Sequence, residues 1–264
     1  MKVSCLGPGE SYSCLAAKRF RSDATFVCCK SFKEVIDKLK SGEADFAVIP
    51  VSNCITGSIV KNLDLITETE GVMGVESFLL PVEHRLVTKG NIPYENIERV
   101  CSHVQALGQC EKFIQANFPN ARLVVTRSTA ESLSLLDGHT AGIVGAHVAG
   151  DGLVLSAENV ADERENATRF MLFEKRTLPP EKSNYFFFSA VCRHEAGALA
   201  SLLGIFAELG LNLTRIGSRP VQSAEGPYRF FMEFEGNIGS QEVQSALAEA
   251  KHRGAQFRLI GAYN

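Results

Sequence analysis

From Met1 to about Leu178, short apolar runs alternate with amphipathic stretches, and this rhythm constrains the fold more than any other feature. Val3 to Leu6 precedes Tyr12 to Phe20, and Phe32 to Leu39 precedes Phe46 to Val51. The order returns with Arg99 to Cys101 before Gln105 to Ala116, Leu123 to Val125 before Ala130 to Leu136, and Ala141 to Val144 before His147 to Ala149. Strands that repeatedly feed helices imply crossover connections, so the pattern predicts an α/β fold with a parallel or mixed sheet wrapped by helices. Gly71 to Leu80 and Glu83 to Thr88 read as extended segments that bridge two lobes.

The rhythm stops at Thr177 to Ser183, where Pro179-Pro180 and charged neighbours give the composition of a linker. Beyond it, Tyr185 to Val191 reads as a strand and Gly197 to Leu209 as a helix, with Leu199, Leu202, Leu203 and Phe206 spaced i, i+3, i+4, i+7. Strands at Asn212 to Ile216 and Tyr228 to Phe234, a helix at Glu242 to His252 and a strand at Gln256 to Ala262 complete a βαββαβ order. That order is a split-βαβ unit with its helices on one face.

A chain of 264 residues with 45% hydrophobic and 22% charged residues has the composition of a soluble globular protein of two or three compact units. Its net charge of -3, with no Lys/Arg block, argues against general nucleic-acid binding. No apolar run approaches membrane-spanning length, and a strand pattern begins at Lys2 with no room for a leader, so the expected setting is cytoplasmic. The eight cysteines include no CxxC pair and no Cys/His spacing suited to zinc, so they read as reduced thiols and no metal is expected. Cys28, Cys29 and Cys54 are the thiols singled out for attention.

Four strand ends run into polar turns: Gly7 to Ser13, Ser52 to Ser58, Ser102 to Gln105 and Arg127 to Glu131. Each offers hydroxyls or amides beside the unpaired N–H groups of a helix start, an arrangement that serves either as an ordinary N-cap or as an anion site. In an open α/β sheet such loops gather outside the carboxyl ends of the strands, which favours a small organic acid. Asn166-Ala167-Thr168-Arg169-Phe170 adds a hydroxyl beside a guanidinium at a loop-to-strand junction, a proton donor next to an anion clamp.

These stretches, taken in order, resemble the prephenate dehydratase family followed by an ACT regulatory domain. The resemblance is carried by Leu6 to Ser13, Ile49 to Asn53 with Gly57-Ser58, Ser102 to Cys110, Asn166 to Phe170, Gly197 to Leu199, and Asn212 to Pro220. It implies a two-lobed catalytic domain similar to periplasmic binding proteins over residues 1–178, with lobes of about 1–75 plus 165–178, and 76–164. A linker at 179–183 and an ACT domain of ferredoxin-like βαββαβ form at 184–264 would follow. The implied reaction converts prephenate to phenylpyruvate with loss of water and carbon dioxide, in phenylalanine biosynthesis and without a cofactor.

The resemblance also assigns roles. Thr168, Asn53, Ser102 and Gln109 match the catalytic and cleft-lining positions, and Ser11, Ser13, Arg169 and Phe170 are expected to bind substrate. Arg169 is open to a second reading, an ion pair with Glu163 or Glu165. Gly197, Ala198 and Leu199 match the turn that receives L-phenylalanine, with Asn212, Ser218, Arg219 and Pro220 in the second regulatory motif. A homodimer or homotetramer through the ACT domains is implied. Ser52, Arg127 and Gly217 depart from the family pattern, each standing where an acidic residue is usual. They keep open a catalytically silent phenylalanine-binding regulator, an arogenate dehydratase and a prephenate decarboxylase.

Overall fold

The computed structural model describes residues 1–163, 165–221 and 227–264; Arg164, at the expected boundary between lobe segments, and residues 222–226 of the expected regulatory unit lie outside them. The first part of the chain runs β1 (Lys2–Leu6), α1 (Tyr12–Phe20), β2 (Thr25–Cys29), α2 (Phe32–Ser41), β3 (Phe46–Asn53), β4 (Gly57–Ser58), α3 (Val60–Glu68) and β5 (Val72–Pro81). A second set follows: β6 (His84–Lys89), β7 (Arg99–His103), α4 (Val104–Gln109), α5 (Glu111–Asn117), β8 (Arg122–Thr126), β9 (Thr140–Gly145) and β10 (Leu153–Ala157). β11 (Ala167–Lys175) returns to the first set. The rest comprises β12 (Tyr185–Val191), α6 (Ala198–Glu208), β13 (Leu213–Pro220), β14 (Tyr228–Glu235), α7 (Gln241–His252) and β15 (Gln256–Tyr263).

Local sequence explains why the helices start and stop where they do. In α2, the Ser31 side chain accepts the Glu34 N–H at 3.2 Å while the Glu34 carboxylate accepts the Lys30 N–H at 2.8 Å. Gly42, at φ 81°, supplies the left-handed residue that closes the other end. Between these ends Val35, Ile36 and Leu39 face inward and are fully or almost fully buried. β3 carries apolar side chains on both faces because helices cover it on both sides, so Ala47 to Val51 reads as an unbroken buried run.

Three expected helices differ from those observed. The stretch Gln105 to Ala116 is two helices broken at Cys110, because the Asp162 carboxylate accepts the Lys112 N–H at 3.1 Å and caps a fresh start there. Ala130 to Leu136 tightens to a 3₁₀ turn at Glu131–Leu135. His147 to Ala149 forms no helix. Here the Val148 N–H returns to the Gly145 carbonyl in a turn, and the His147 ring reaches across to the Glu10 carbonyl at 2.8 Å.

The strands form two sheets. Ten lie in one, in the order β13-β14-β12-β15-β5-β11-β3-β1-β2 with β4 beside β3, and five lie in the other, ordered β10-β6-β9-β7-β8. The C-terminal βαββαβ set therefore continues the first sheet rather than standing apart. The junction is a single parallel pair, Gly261 opposite Gly74. Gly261 is needed for its size: a Cβ there would sit 2.8 Å from the Gly74 carbonyl oxygen.

Each face of the C-terminal strands has its own core. Phe186, Phe188 and Phe234 pack under Phe206 of α6 and Val243 of α7. Phe187, Phe231 and Ile260 point the other way and share a core with Ile36, Leu63 and Phe173 of the first part.

Candidate functional site

The chain passes between the sheets twice, from β5 to β6 and from β10 to β11, and the Val82 N–H binds the Asn166 carbonyl at 2.8 Å where the passages touch. A cleft of about 410 Å³ opens here, with walls from both sheets. Its size is that of a small-molecule site. Tyr12 spans the two sides by donating to the Glu83 carbonyl at 2.5 Å, and burial pushes its phenol up to about 12.

A continuous chain of polar side chains crosses the cleft. Asn53 Oδ1 accepts the N–H groups of Ile55 and Thr56 at 3.0 and 3.1 Å, which turns its Nδ2 toward β11. That nitrogen donates to Asn166 Oδ1 at 2.7 Å and to Thr168 Oγ1 at 3.1 Å. Asn166 Nδ2 in turn donates to Gln109 Oε1 at 3.1 Å, and His84 Nε2 meets the same oxygen at 2.9 Å. An amide oxygen only accepts, so His84 carries its proton on Nε2. Burial holds the His84 imidazole below its ordinary pKa and favours its neutral form.

Two consequences follow from this wiring. Thr168 Oγ1 receives a hydrogen bond from Asn53 and, among the described residues, gives none, so its own proton is available to a ligand. Gln109 uses its oxygen for Asn166 and His84, which leaves its NH₂ as the end available to the cleft.

Several residues expected at the site line this cleft: Ser11, Ser13, Asn53, Gln109, Thr168 and Phe170. Two do not. Ser102 is 0% exposed and donates to the Ile143 carbonyl at 2.6 Å, so it secures β7 to the sheet, while its neighbour His103 caps α4 and reaches the cleft. Arg169 leaves β11 on the face opposite Thr168, as strand alternation requires, and pairs with Glu233 of β14 at 3.3 Å rather than with Glu163, Glu165 or the cleft.

Arg127 stands at the cleft edge, paired with Glu131 at 2.7 Å, and is the one Lys or Arg among the lining residues. His84 and Asn166 are the site residues that sequence reasoning passed over. Asn166 sat within a quoted motif, whereas an isolated histidine after Glu83 carries no local signal.

The model of the family described as prephenate dehydratase matches residues 3–178 of this chain. The chain belongs to the prephenate dehydratase family. It is 33% identical to the prephenate dehydratase of Amycolatopsis methanolica, over 99% of this chain and 88% of that one. It is 32% identical to the bifunctional chorismate mutase/prephenate dehydratase of Aquifex aeolicus (strain VF5), over 100% of this chain and 73% of that one. The crystal structure of prephenate dehydratase from Arthrobacter aurescens in complex with L-Phe superposes with a TM-score of 0.88 at 29% identity, covering 100% of this chain and 90% of that one.

Beyond the residues the family model matches, the chain carries a second hollow, of about 210 Å³, at the start of α6. Gly197, at φ 83°, and Ala198 line it together with Arg193, Glu195, Ser201 and Arg253. Leu199 follows them on α6 and is half-buried. The second expected regulatory group lies elsewhere, on or beside β13, the edge strand of the sheet. There Asn212 binds Glu235 at 3.1 Å, Arg219 pairs with Asp64 at 2.6 Å, and Ser218 and Pro220 are exposed. None of Asn212, Ser218, Arg219 and Pro220 lines the hollow at Gly197.

Proposed function

We propose that the cleft converts prephenate to phenylpyruvate with Thr168 as proton donor. The observation that carries this reading is the polar chain Thr168–Asn53–Asn166–Gln109–His84, which leaves one hydroxyl proton and one amide free toward the hollow. As the ring carboxylate leaves as carbon dioxide, the electrons of its C–C bond enter the ring and expel the 4-hydroxyl, which takes the Thr168 proton and departs as water. The proton returns to Thr168 from solvent. An aliphatic hydroxyl is a weak acid, so this transfer comes late and aromatisation supplies most of the driving force.

Gln109 orients the substrate side chain, and Phe32, Ile59 and Phe170 give the ring an apolar wall. Arg127 faces the side-chain carboxylate, and its charge disfavours the ammonium of arogenate. Ser13, in the first turn of α1, supplies a hydroxyl beside free helix N–H groups, whereas the Ser11 hydroxyl donates to the Leu6 carbonyl at 2.5 Å and caps the helix, and Ser102 serves as scaffold.

In this reading residues 1–178 are a catalytic domain of two lobes similar to periplasmic binding proteins, and residues 184–264 are an ACT domain. L-Phenylalanine, the ligand named for the Arthrobacter aurescens structure, occupies the hollow at Gly197 and Ala198. A second copy brings its β13 motif to that hollow, which makes the assembly a homodimer or homotetramer. The setting is cytoplasmic; among the described residues no helix is long and apolar enough to cross a membrane.

Incubating the purified chain with prephenate and with arogenate, with and without phenylalanine, should yield phenylpyruvate from prephenate preferentially. Thr168→Val keeps the side-chain volume and removes the donor, and should lower kcat by about 10²-fold or more. A fall of less than about tenfold would remove Thr168 from the mechanism. Phenylalanine binding without any turnover would turn the reading to a silent regulator.

A further inference from the structure

The register of the first two strands produces a feature that the reaction does not use. β1 and β2 are parallel neighbours with Cys5 opposite Cys28, so the two side chains emerge on the same face. α1 packs across that face and presents Cys14 from its first turn. The Cys5 and Cys14 sulfurs lie 3.1 Å apart, those of Cys14 and Cys28 lie 3.5 Å apart, and all three fall within 4.8 Å of one another. Cys5 and Cys14 are buried while Cys28 is exposed, so the cluster has one mouth to solvent.

The donor set selects the ligand. Three sulfurs with no carboxylate or imidazole among them exclude hard cations, which require oxygen. A structural zinc site closes with four protein ligands, and among the described residues this group supplies three. A three-coordinate thiophilic centre remains, and burial decides its charge. Three thiolates around copper(I), or around zinc(II) with water in its fourth position, would leave a net negative charge beside two buried sulfurs, which is costly. Trivalent arsenic leaves none: arsenite, As(OH)₃, exchanges its three As–O bonds for three As–S bonds, each thiol proton leaving with a hydroxyl as water, without oxidation or reduction.

We propose that Cys5, Cys14 and Cys28 form a trithiol binding site for arsenite. The site lies directly behind the Gly7 to Ser11 loop: Cys14 Sγ is 3.6 Å from the Leu6 carbonyl, and the Cys14 N–H is held by the Ser11 side chain at 3.2 Å. Although Cys14 would give up the S–H that reaches Leu6, occupancy would cross-link Cys5 before the loop to Cys14 after it and so fasten the loop that forms one wall of the cleft.

The test is titration of the reduced full chain with arsenite, followed by native mass spectrometry, a count of reactive thiols and X-ray absorption at the arsenic edge. The expected result is one arsenic per chain, three sulfur neighbours and three thiols masked. Cys28→Ser, at the exposed position, should weaken binding by at least about tenfold, whereas Cys54→Ser, at an exposed cysteine outside the cluster, should leave it unchanged. The assignment is overturned by no stoichiometric arsenic, by an adduct that masks only two thiols, by unchanged affinity in Cys28→Ser, or by equimolar copper(I) or zinc(II) displacing the arsenic.

Discussion

At the scale of single residues, the site is built by tying most of its polar atoms to fixed partners and leaving chosen atoms without one. Asn53 is held by the backbone of its own loop so that it can hold Thr168, and Gln109 is held by Asn166 and His84 so that its nitrogen stays free. His84 gives this arrangement a pH signature. Its folded pKa is depressed by burial, so the unfolded chain binds more protons below the ordinary value of about 6.5. The contribution to stability is thus complete above that pH and is lost as pH falls toward the lowered folded value. Urea midpoints measured across that range should decline more steeply for the native protein than for His84→Asn; parallel curves would remove His84 as the cause. Thr168, Asn53 and Gln109 were legible in the sequence because each sits in a motif with its own neighbours. Ser102 and Arg169 sit in equally clear motifs, but strand alternation turns their side chains away from the cleft, which adjacency in a motif does not reveal.

At the scale of elements, alternation of apolar runs and amphipathic stretches was enough to place the crossover strands and most of the helices. It failed where a tertiary contact supplies the cap. Asp162 starts α5 from a distant loop, and no local signal at Cys110 announces the break. The trithiol cluster escaped for a related reason, since Cys5 and Cys28 are neighbours only through strand register. The seam between β5 and β15 is likewise a matter of shape. Gly261→Ala places a methyl group against the Gly74 backbone, which cannot retreat as a flexible side chain would. Thermal unfolding of this variant should begin about 1 to 3 kcal/mol less stable than the native chain, the usual cost of overpacking. An unchanged melting temperature would mean that the seam opens freely.

At the scale of the whole molecule, the linker composition at Thr177 to Ser183 suggests a tethered regulatory unit, whereas the structure joins the two parts through one sheet and one shared core. The most deeply buried acid at this join is Glu233, which is 2% exposed and takes Arg169 at 3.3 Å, Thr214 at 2.8 Å and the Tyr263 hydroxyl. Arg215 lies near enough to Arg169 that burial and this like charge both push its pKa down. Neutralising the acid with Glu233→Gln leaves these guanidiniums facing one another. The variant should bind phenylalanine with nearly native affinity by calorimetry yet lose most of the effect of phenylalanine on turnover, a coupling of about 1 to 3 kcal/mol. A native response would place the coupling elsewhere, for example at Asp64, which takes Arg219 and Arg229.

The shared sheet also bears on how such proteins diversify. Grafting residues 184–264 from a relative is less like changing a pendant than like replacing a plank in a continuous floor. The incoming piece must bring a glycine to meet Gly74 and an acid to meet Arg169. If the hollow at Gly197 holds the effector as proposed, its preference can drift on that helical side, while the side facing β5 and β11 has to change in step with the first part of the chain or stay as it is.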